Sequence, residues 1–245
     1  MEEIEIDADL YHDEIIWRYV DDRKFDDLLK TNEIYLSALV AQKDKNEGRE
    51  KSSEIEHKHK NWMRFYEWAG LKVPSEAAQH EHVKRVAEHW SARLREKGFC
   101  LCWHKAETEN LEMWKEYVGV GKSGVAIRST VGRLRDAISL KGQNNVCGAL
   151  IKEVSYGHFS IDSSDGLINR AFFKERDKYE FEREIRLFYW EDFLKSSSNL
   201  NSARRLAANL DILILDVTVS PFSQSAYFEG VRKLTNKPVL KSTYS

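Results

Sequence analysis

Hydrophobic and charged residues alternate along residues 179–189, where the sequence reads YEFEREIRLFY. An alternation with a period of two predicts a β-strand, because successive side chains of a strand point to opposite faces. One face of this strand would carry two carboxylates and a guanidinium, each about 7 Å from the next, followed by an aromatic ring: Glu182, Glu184, Arg186 and Phe188. Such a face is either an exposed Glu–Arg ladder, which contributes little to stability, or a carboxylate site on a rigid element.

The remaining hydrophobic pattern predicts strands and helices that follow one another irregularly. Strands are expected at residues 15–20, 34–39, 99–104, 125–129, 146–156 and 211–220, and helix caps near residues 21–22, 75, 108, 165 and 223–225. Four aromatic residues follow helical spacing, which is typical of a stripe that faces the core: Trp62, Phe65, Tyr66 and Trp68. We predict a single α+β domain over residues 1–245, with a mixed, mostly antiparallel sheet and a helical insertion at about residues 50–97.

The composition narrows the class of protein. A hydrophobic fraction of 42% in 245 residues is enough for a buried core, and the formal net charge of −2 gives no overall basic field for nucleic acid. The three cysteines are too few for a disulfide framework, and the sequence has no His-Glu-x-x-His pattern. The lack of that pattern predicts no bound metal. The acidic first residues and the lack of an apolar run of membrane-spanning length predict a cytoplasmic protein with no membrane partner.

Charged and polar residues interrupt the predicted strands near the start of the chain. Arg18 lies between Trp17 and Tyr19 in an aromatic strand, so it is either an edge residue or the partner of an anion. Ser37 lies in the second predicted strand, on the same side as Tyr35. Residues 42–60 are almost entirely polar, which predicts either a solvated connection or a lid beside that strand.

Several motifs, in a fixed order, resemble a bacterial family catalogued as domain of unknown function 2971. That family has an aromatic strand, a strand that ends in serine, an Asp-Pro-Phe-Glu-Gly-like loop, and then Cys-x-Ser, Met-Trp-x-x-Tyr, Gly-x-x-Ile and Trp-x-x-Glu-x-Glu-x-Arg. The corresponding segments here are residues 17–19, 25–37, 44–48, 102–104, 113–117, 124–127 and 179–186. This chain departs from the pattern at His104, which replaces serine, at Tyr179, which replaces tryptophan, and in the loop, which lacks the Pro and the Phe.

The order of these motifs is similar, at one further remove, to that of ADP-ribosyltransferases. Those enzymes carry an Arg or His on a first strand, a Ser or Thr on a second strand and Glu-x-Glu on a late strand. Arg18, Ser37 and the pair Glu182 and Glu184 occur here in that order. The resemblance implies an ADP-ribosyltransferase-like fold, with NAD as the substrate.

This resemblance also implies a role for each of the four residues. Cleavage of the bond between nicotinamide and ribose develops an oxocarbenium-like cation, which Glu184 would stabilise. Glu182 would orient or activate the acceptor, and Arg18 would hold the pyrophosphate. Ser37 would support the carboxylate or the ribose.

Five other candidate binding residues have structural alternatives. Tyr19, Trp114 or Tyr117 could stack on nicotinamide or adenine, although the helical spacing of the last two is more typical of core packing. His104 could carry a proton or be a buried structural histidine, and we prefer the structural interpretation. Arg186 is expected to pair with one of the two glutamates and to balance their charge.

Three functions are compatible with these features. The leading hypothesis is an NAD-consuming ADP-ribosyltransferase or NAD glycohydrolase, which acts as a toxin or antiphage effector on a protein or nucleic-acid acceptor. The second is a non-catalytic module of a bacterial defence or regulatory system that binds a nucleotide-type small molecule or another effector. The third is a metal-dependent nuclease in which Glu182 and Glu184 bind one metal ion and Lys174 or Lys178 assists.

Overall fold

The computed structural model describes residues 3–42, 44–72, 75–143, 145–157, 166–174, 177–195 and 203–244. The α-helices of this part are α1 Asp22–Thr31, α2 Ser52–Trp68, α3 Glu76–Lys97, α4 Leu111–Met113, α5 Val131–Ala137, α6 Leu210–Leu213 and α7 Ser225–Leu234. The strands are β1 Glu5–Ile6, β2 Ile15–Asp21, β3 Glu33–Ala38, β4 Gly98–Lys105, β5 Gly124–Thr130, β6 Ile138–Ser139, β7 Val146–Glu153, β8 Ser155–Tyr156, β9 Phe173–Lys174, β10 Glu184–Glu191, β11 Ala203–Ala208, β12 Asp216–Val219 and β13 Val239–Lys241. Short 3₁₀ turns cover Leu39–Ala41, Leu167–Phe172 and Asp177–Glu182, and a π-turn covers Trp114–Val118.

Most of these strands belong to one mixed sheet. Its main order is β1-β7-β10-β4-β2-β5-β12-β13, and β3, β11 and β6 extend it from β4. Neighbouring strands are antiparallel except for β1 with β7 and β12 with β13. The predicted α+β fold with a mixed, mostly antiparallel sheet is confirmed. Helices α2 and α3 lie where the helical insertion is expected.

The sheet buries one large hydrophobic face. Ile185 and Leu187 of β10 lie beside Leu101 and Trp103 of β4, and all four belong to one core cluster with residues of α1 and α5. On the opposite face, Phe188 packs in a smaller cluster with residues of α3 and of the turn Leu167–Phe172. The strongly alternating strand β10 therefore separates a purely apolar layer from a layer that also carries the charged residues.

The charged strand begins later than its alternation predicts. Residues Asp177–Glu182 form a 3₁₀ turn, and β10 starts only at Glu184. Between them Arg183 adopts a positive φ of 37°, a conformation that non-glycine residues seldom adopt. Its N–H donates to Glu180 O at 3.0 Å, and its carbonyl accepts from the Lys105 N–H at 2.9 Å. These two hydrogen bonds close a turn at the point where the prediction places a continuous strand, so Glu182 lies outside β10.

One further predicted segment differs from the structure. Residues 211–220 are not one strand, because the Asn209 side chain accepts hydrogen bonds from the N–H groups of Asp211 and Ile212 and thereby starts α6. Only the second half of the segment forms a strand, β12. The predicted helix cap at Asp165 and the side chain of Lys178 lie outside the described residues.

The aromatic stripe of α2 does not face the core. Trp62, Phe65 and Trp68 are exposed, Trp68 by 83%. Helix α2 packs on α3 through a small cluster around Ile55, which lies nearer the start of the helix. The prediction of a core stripe is wrong because, among the described residues, this part of the helical hairpin has no sheet against which its aromatic residues pack.

Strands β2 and β4 pair only at one end and then separate. The paired residues are Ile16 with Lys105 and Trp17 with His104. Further along, β4 pairs instead with β3, through Ser37 and Cys100. We call the opening between β2 and the paired strands β3 and β4 the fork, and it positions the candidate site.

Gly98 allows α3 to meet β4 closely, which leads to a prediction about stability. A Cβ atom at Gly98 would lie 2.3 Å from Phe188 Cζ and 2.6 Å from Leu94 O. We expect Gly98→Ala to lower the free energy of unfolding by about 1–3 kcal/mol in urea denaturation, because the core is overpacked. Gly230→Ala within α7 is the control, because a Cβ there has no neighbour within 4 Å and alanine favours a helix by up to about 1 kcal/mol. Equal stability of the two variants would contradict the prediction.

Candidate functional site

A pocket of about 580 Å³ opens in the fork. Polar and titratable side chains line it from β2, β3, β4, the π-turn, the 3₁₀ turn Asp177–Glu182 and the start of β10, together with one residue that follows β3: Arg18, Ser37, Gln42, Cys100, Cys102, His104, Tyr117, Glu182 and Glu184. Its more exposed lining residues, which we call the mouth, are Arg23, Lys24, Asp27, Glu33, Tyr35 and Arg205. The structure thus brings Arg18, Ser37 and both glutamates to one pocket, although they lie far apart along the sequence.

Glu184 is a buried and ionised carboxylate at this pocket. Its side chain is 4% exposed, and it accepts hydrogen bonds from Arg186 Nε at 2.5 Å and Nη2 at 3.3 Å. Lys174 Nζ lies 2.6 Å from its Oε2. Burial alone would raise the pKa of Glu184, but the positive charges of Arg186 and Lys174 lower it to about 2. Glu184 therefore keeps its negative charge at any physiological pH.

Glu182 shares Lys174 with Glu184. The Lys174 ammonium forms an ion pair with Glu182 Oε2, and the Tyr117 hydroxyl donates to Glu182 Oε1 at 2.9 Å. Burial alone would lower the pKa of Lys174, but the two glutamates raise it, so Lys174 stays protonated. Its charge lies between two carboxylates that would otherwise repel each other.

Arg186 supports the glutamates from behind the pocket. It is fully buried and is not among the residues that line the pocket. Besides Glu184, it binds the Ala171 carbonyl through Nη1, and its Nη2 lies 3.1 Å from Glu47 Oε2. Burial raises the pKa of Glu47, while Arg186 and Lys174 oppose this rise. Arg186 pairs with a glutamate, as we expect from the sequence, but the structure does not place it where it would contact a ligand.

Glu47 and Lys174 complete the charge network, and sequence reasoning does not assign them to it. Glu47 lies in a polar loop that composition assigns to a solvated connection or a lid, yet its side chain is buried. Its position as the acidic residue of the Asp-Pro-Phe-Glu-Gly-like motif is the signal that could have identified it. Lys174 enters the sequence analysis only in the nuclease alternative.

Arg18 is a cation without an anion. Within the described parts of the chain, its Nη1 has no hydrogen-bond partner and no carboxylate lies within ion-pair distance. Burial lowers the pKa of Arg18 to about 10, so the guanidinium is still charged at neutral pH. A partly buried charge without a partner is costly, and a bound anion would remove this cost.

Ser37 and Gln42 form a polar wall next to Arg18. Gln42 Nε2 donates to Ser37 Oγ at 2.6 Å and lies 2.9 Å from Cys100 Sγ. Because Ser37 Oγ is the acceptor in this bond, its hydroxyl proton can be donated to another group. Gln42 has no role in the sequence analysis, because a single glutamine after a strand carries no signal.

His104 is a buried histidine with one ring nitrogen held by the backbone. Its Nδ1 lies 2.6 Å from the Glu182 carbonyl oxygen, which can only accept, so Nδ1 carries the proton. Burial lowers the pKa of His104, and the neutral ring then has an unprotonated Nε2. This Nε2 is buried and has no partner among the described residues. His104 thus fixes the backbone at Glu182 while it lines the pocket.

The three aromatic candidates have different positions. The Tyr19 hydroxyl accepts from the Asn110 N–H at 2.7 Å, and its ring meets that of Trp114 edge to face at 4.9 Å. Trp114 is fully buried, donates to Glu109 and does not line the pocket. Tyr117 does line the pocket, and the π-turn that holds it is of a kind often found at functional sites.

The described residues contain no group of three or more His, Cys, Asp or Glu side chains arranged to hold a metal ion. Lys174 lies between Glu182 and Glu184, where a metal bound by both carboxylates would have to lie. No helix in the same residues has the length and apolarity to cross a bilayer.

Comparison with known proteins adds no assignment to this geometry. The chain matches no protein-family model, no curated protein and no solved structure.

Proposed function

We propose that the protein cleaves the bond between nicotinamide and ribose in NAD and transfers ADP-ribose to an acceptor or to water. The observation that carries this proposal is the meeting of Arg18, Ser37 and the buried, ionised Glu184 at one pocket. A cation for the pyrophosphate and a fixed carboxylate for the developing ribose cation are the two charges that this reaction requires.

The residues of the pocket support each stage of the reaction. As the glycosidic bond breaks, its electron pair passes to the nicotinamide nitrogen and the ribose becomes cationic. Glu184 stabilises this cation, and Arg186 and Lys174 keep its carboxylate ionised and fixed in place. The acceptor then bonds to the ribose carbon and loses a proton. Glu182 orients the acceptor, and Tyr117 and Lys174 hold the Glu182 carboxylate.

The direct test is the release of nicotinamide from NAD. The purified protein is incubated with NAD, alone and with a cell extract that supplies protein and nucleic-acid acceptors, and nicotinamide is quantified by chromatography. We expect release in at least one condition, with ADP-ribose found free or attached to an acceptor. No release in either condition would overturn the proposal. If nicotinamide is released, cell growth and NAD content after induced expression would test a role as a cytoplasmic toxin or antiphage effector.

Arg18 provides a prediction that separates binding from folding. Arg18→Met removes a partly buried charge that has no partner among the described residues. We expect it to raise the free energy of unfolding by about 1 kcal/mol, because the desolvation cost disappears. We also expect it to weaken the binding of ADP-ribose by roughly 10- to 100-fold, because a charge-assisted hydrogen bond is lost.

Denaturation and calorimetric titration measure these two effects. Arg85→Met, at an exposed arginine of α3 outside the pocket, is the matched control and should change neither quantity much. A less stable Arg18→Met variant with unchanged affinity would assign Arg18 a structural role instead.

A second function is favoured by one observation. Lys174 engages both glutamates, so the chain itself neutralises part of the charge that catalysis would use. A non-catalytic nucleotide-binding module would be compatible with this arrangement. It would bind ADP-ribose or NAD through Arg18 and release no nicotinamide.

A further inference from the structure

Tyr35 places an exposed aromatic ring at the mouth of the pocket. It lies on β3 two residues before Ser37, so both side chains point to the same face of the strand, about 7 Å apart. The Tyr35 side chain is 44% exposed, although it lines the pocket. A large exposed aromatic residue on a rigid strand at a pocket mouth is suited to stacking on a flat ligand group.

Arg205 supports this ring from the neighbouring strand. Arg205 of β11 lies directly opposite Tyr35 in the strand register, and its Cζ is 6.0 Å from the ring centroid. Its Nη1 is 2.9 Å from Asp27 Oδ2 and 3.8 Å from Glu33 Oε2. The guanidinium is thus fixed in position and its charge is offset by two carboxylates.

Arg18 and Arg205 differ in the anions that they already have. Arg18 has no anion among the described residues and is suited to a phosphate group. Arg205 already pairs with two carboxylates, so its side chain is less suited to a second phosphate than Arg18 is. An uncharged, planar group that stacks on Tyr35 fits this part of the pocket better.

Tyr35, Arg18 and Glu184 offer one partner for each kind of group in a dinucleotide. All three line the same pocket. Ser37 lies opposite Cys100 in the strand register, and Glu184 lies opposite His104. The pocket therefore combines an aromatic platform for a base, a cation for phosphate and a carboxylate for a ribose.

We propose that Tyr35, supported by Arg205, is the subsite for the adenine base, so that the substrate is the whole dinucleotide rather than nicotinamide mononucleotide. This inference rests on the proposed function, because it assumes that Glu184 faces the ribose of the bond that breaks. Tyr35 would thus determine substrate specificity without being part of the charge network.

The test compares NAD with nicotinamide mononucleotide as substrates. We expect the wild-type kcat/KM to be at least about tenfold higher for NAD, because base stacking on an aromatic side chain commonly contributes this much. Tyr35→Ala should lower the NAD value by about tenfold and change the mononucleotide value less than twofold. Tyr35→Trp should retain the preference. Tyr11→Ala, at an exposed tyrosine outside the pocket, is the matched control.

The outcomes separate this inference from the proposed function. Equal use of both substrates, or a Tyr35→Ala variant that behaves like the wild type, would overturn the role of Tyr35 and leave NAD cleavage intact. If neither compound is cleaved, the proposed function is wrong. The affinity for ADP then tests whether Tyr35 forms an adenine subsite. An ADP affinity about tenfold weaker in Tyr35→Ala would support the subsite, whereas an unchanged affinity would refute it.

Discussion

Glu184→Gln is expected to lower the rate of nicotinamide release from NAD by about 10³-fold, because it removes the charge that stabilises the ribose cation. The substitution keeps the size of the side chain, but the single amide oxygen can accept from only one of Arg186 and Lys174, which bind different oxygens of the carboxylate. The binding of ADP-ribose should change little, since Arg18 and the mouth of the pocket are untouched. The measurement is single-turnover release of nicotinamide at saturating NAD.

Two matched substitutions show whether the effect belongs to this carboxylate. Glu180→Gln changes an exposed glutamate close in sequence and should keep the wild-type rate. Glu182→Gln should lower transfer to an acceptor more than hydrolysis of NAD, because Glu182 is assigned to the acceptor. A Glu184→Gln variant within tenfold of the wild type would remove Glu184 from the mechanism.

The acid side of the pH profile provides a check on the same residue. The pKa of Glu184 is lowered to about 2, so its carboxylate should remain ionised, and active, throughout the weakly acidic range. A loss of activity with a midpoint near the ordinary glutamate value of 4.5, absent from Glu184→Gln, would contradict this ionisation.

Arg186→Met is expected to destabilise the fold by about 3–5 kcal/mol, the usual cost of removing one partner from a buried ion pair. Arg186 is fully buried and binds Glu184, Glu47 and the Ala171 carbonyl. Methionine has a similar length but leaves two buried carboxylates with Lys174 as their remaining cation. Urea denaturation measures the loss, and Arg85→Met on the exposed side of α3 is the control.

The pH dependence of stability should change in the same variant. The folded-state pKa of Glu184 lies below its ordinary value, so the ionised carboxylate stabilises the fold above pH 4.5 and loses this effect as the pH falls towards 2. Without Arg186 this part of the stability profile should flatten. The double variant Arg186→Met with Glu184→Gln should recover part of the lost stability, because one of the unpaired charges is gone. A double variant as unstable as the single one would contradict this explanation.

The local chemistry of β10 could be predicted from its sequence, whereas its starting point could not. A period of two correctly separates Ile185 and Leu187, which enter the core, from Glu184 and Arg186, which pair with each other. The turn at Arg183 interrupts that period through contacts with β4 and residue 180, and such contacts have no local signature.

The convergence of Arg18 with the glutamates also depends on tertiary structure. Trp17 pairs with His104, and His104 pairs with Glu184. In a continuous sheet, alternation would therefore place Arg18 on the opposite face from Glu184. Only the separation of β2 from β4 lets Arg18 line the same pocket. The order of motifs indicates that these residues belong together, but the alternation of one strand cannot reveal an opening between two.

Burial of the charge network likewise follows from partners that are distant in sequence. A polar loop predicts solvent exposure, yet Glu47 is buried because Arg186 and Lys174 approach it from other segments. For the aromatic residues of α2 the error is the opposite one, because the pattern predicts burial and the side chains of Trp62, Phe65 and Trp68 are exposed. Their helical spacing is correct, but no element of the described part of the chain covers Trp62 or Trp68.

The sharp turn at Arg183 places the two glutamates on different secondary-structure elements. Glu184 is anchored in the sheet, whereas Glu182 ends a short turn whose backbone is held by His104 and Lys105. We therefore expect sequence changes within 177–183 to redirect ADP-ribose between water and macromolecular recipients while bond scission continues at its former speed. In this layout, the choice of recipient can diversify independently of the cleavage step.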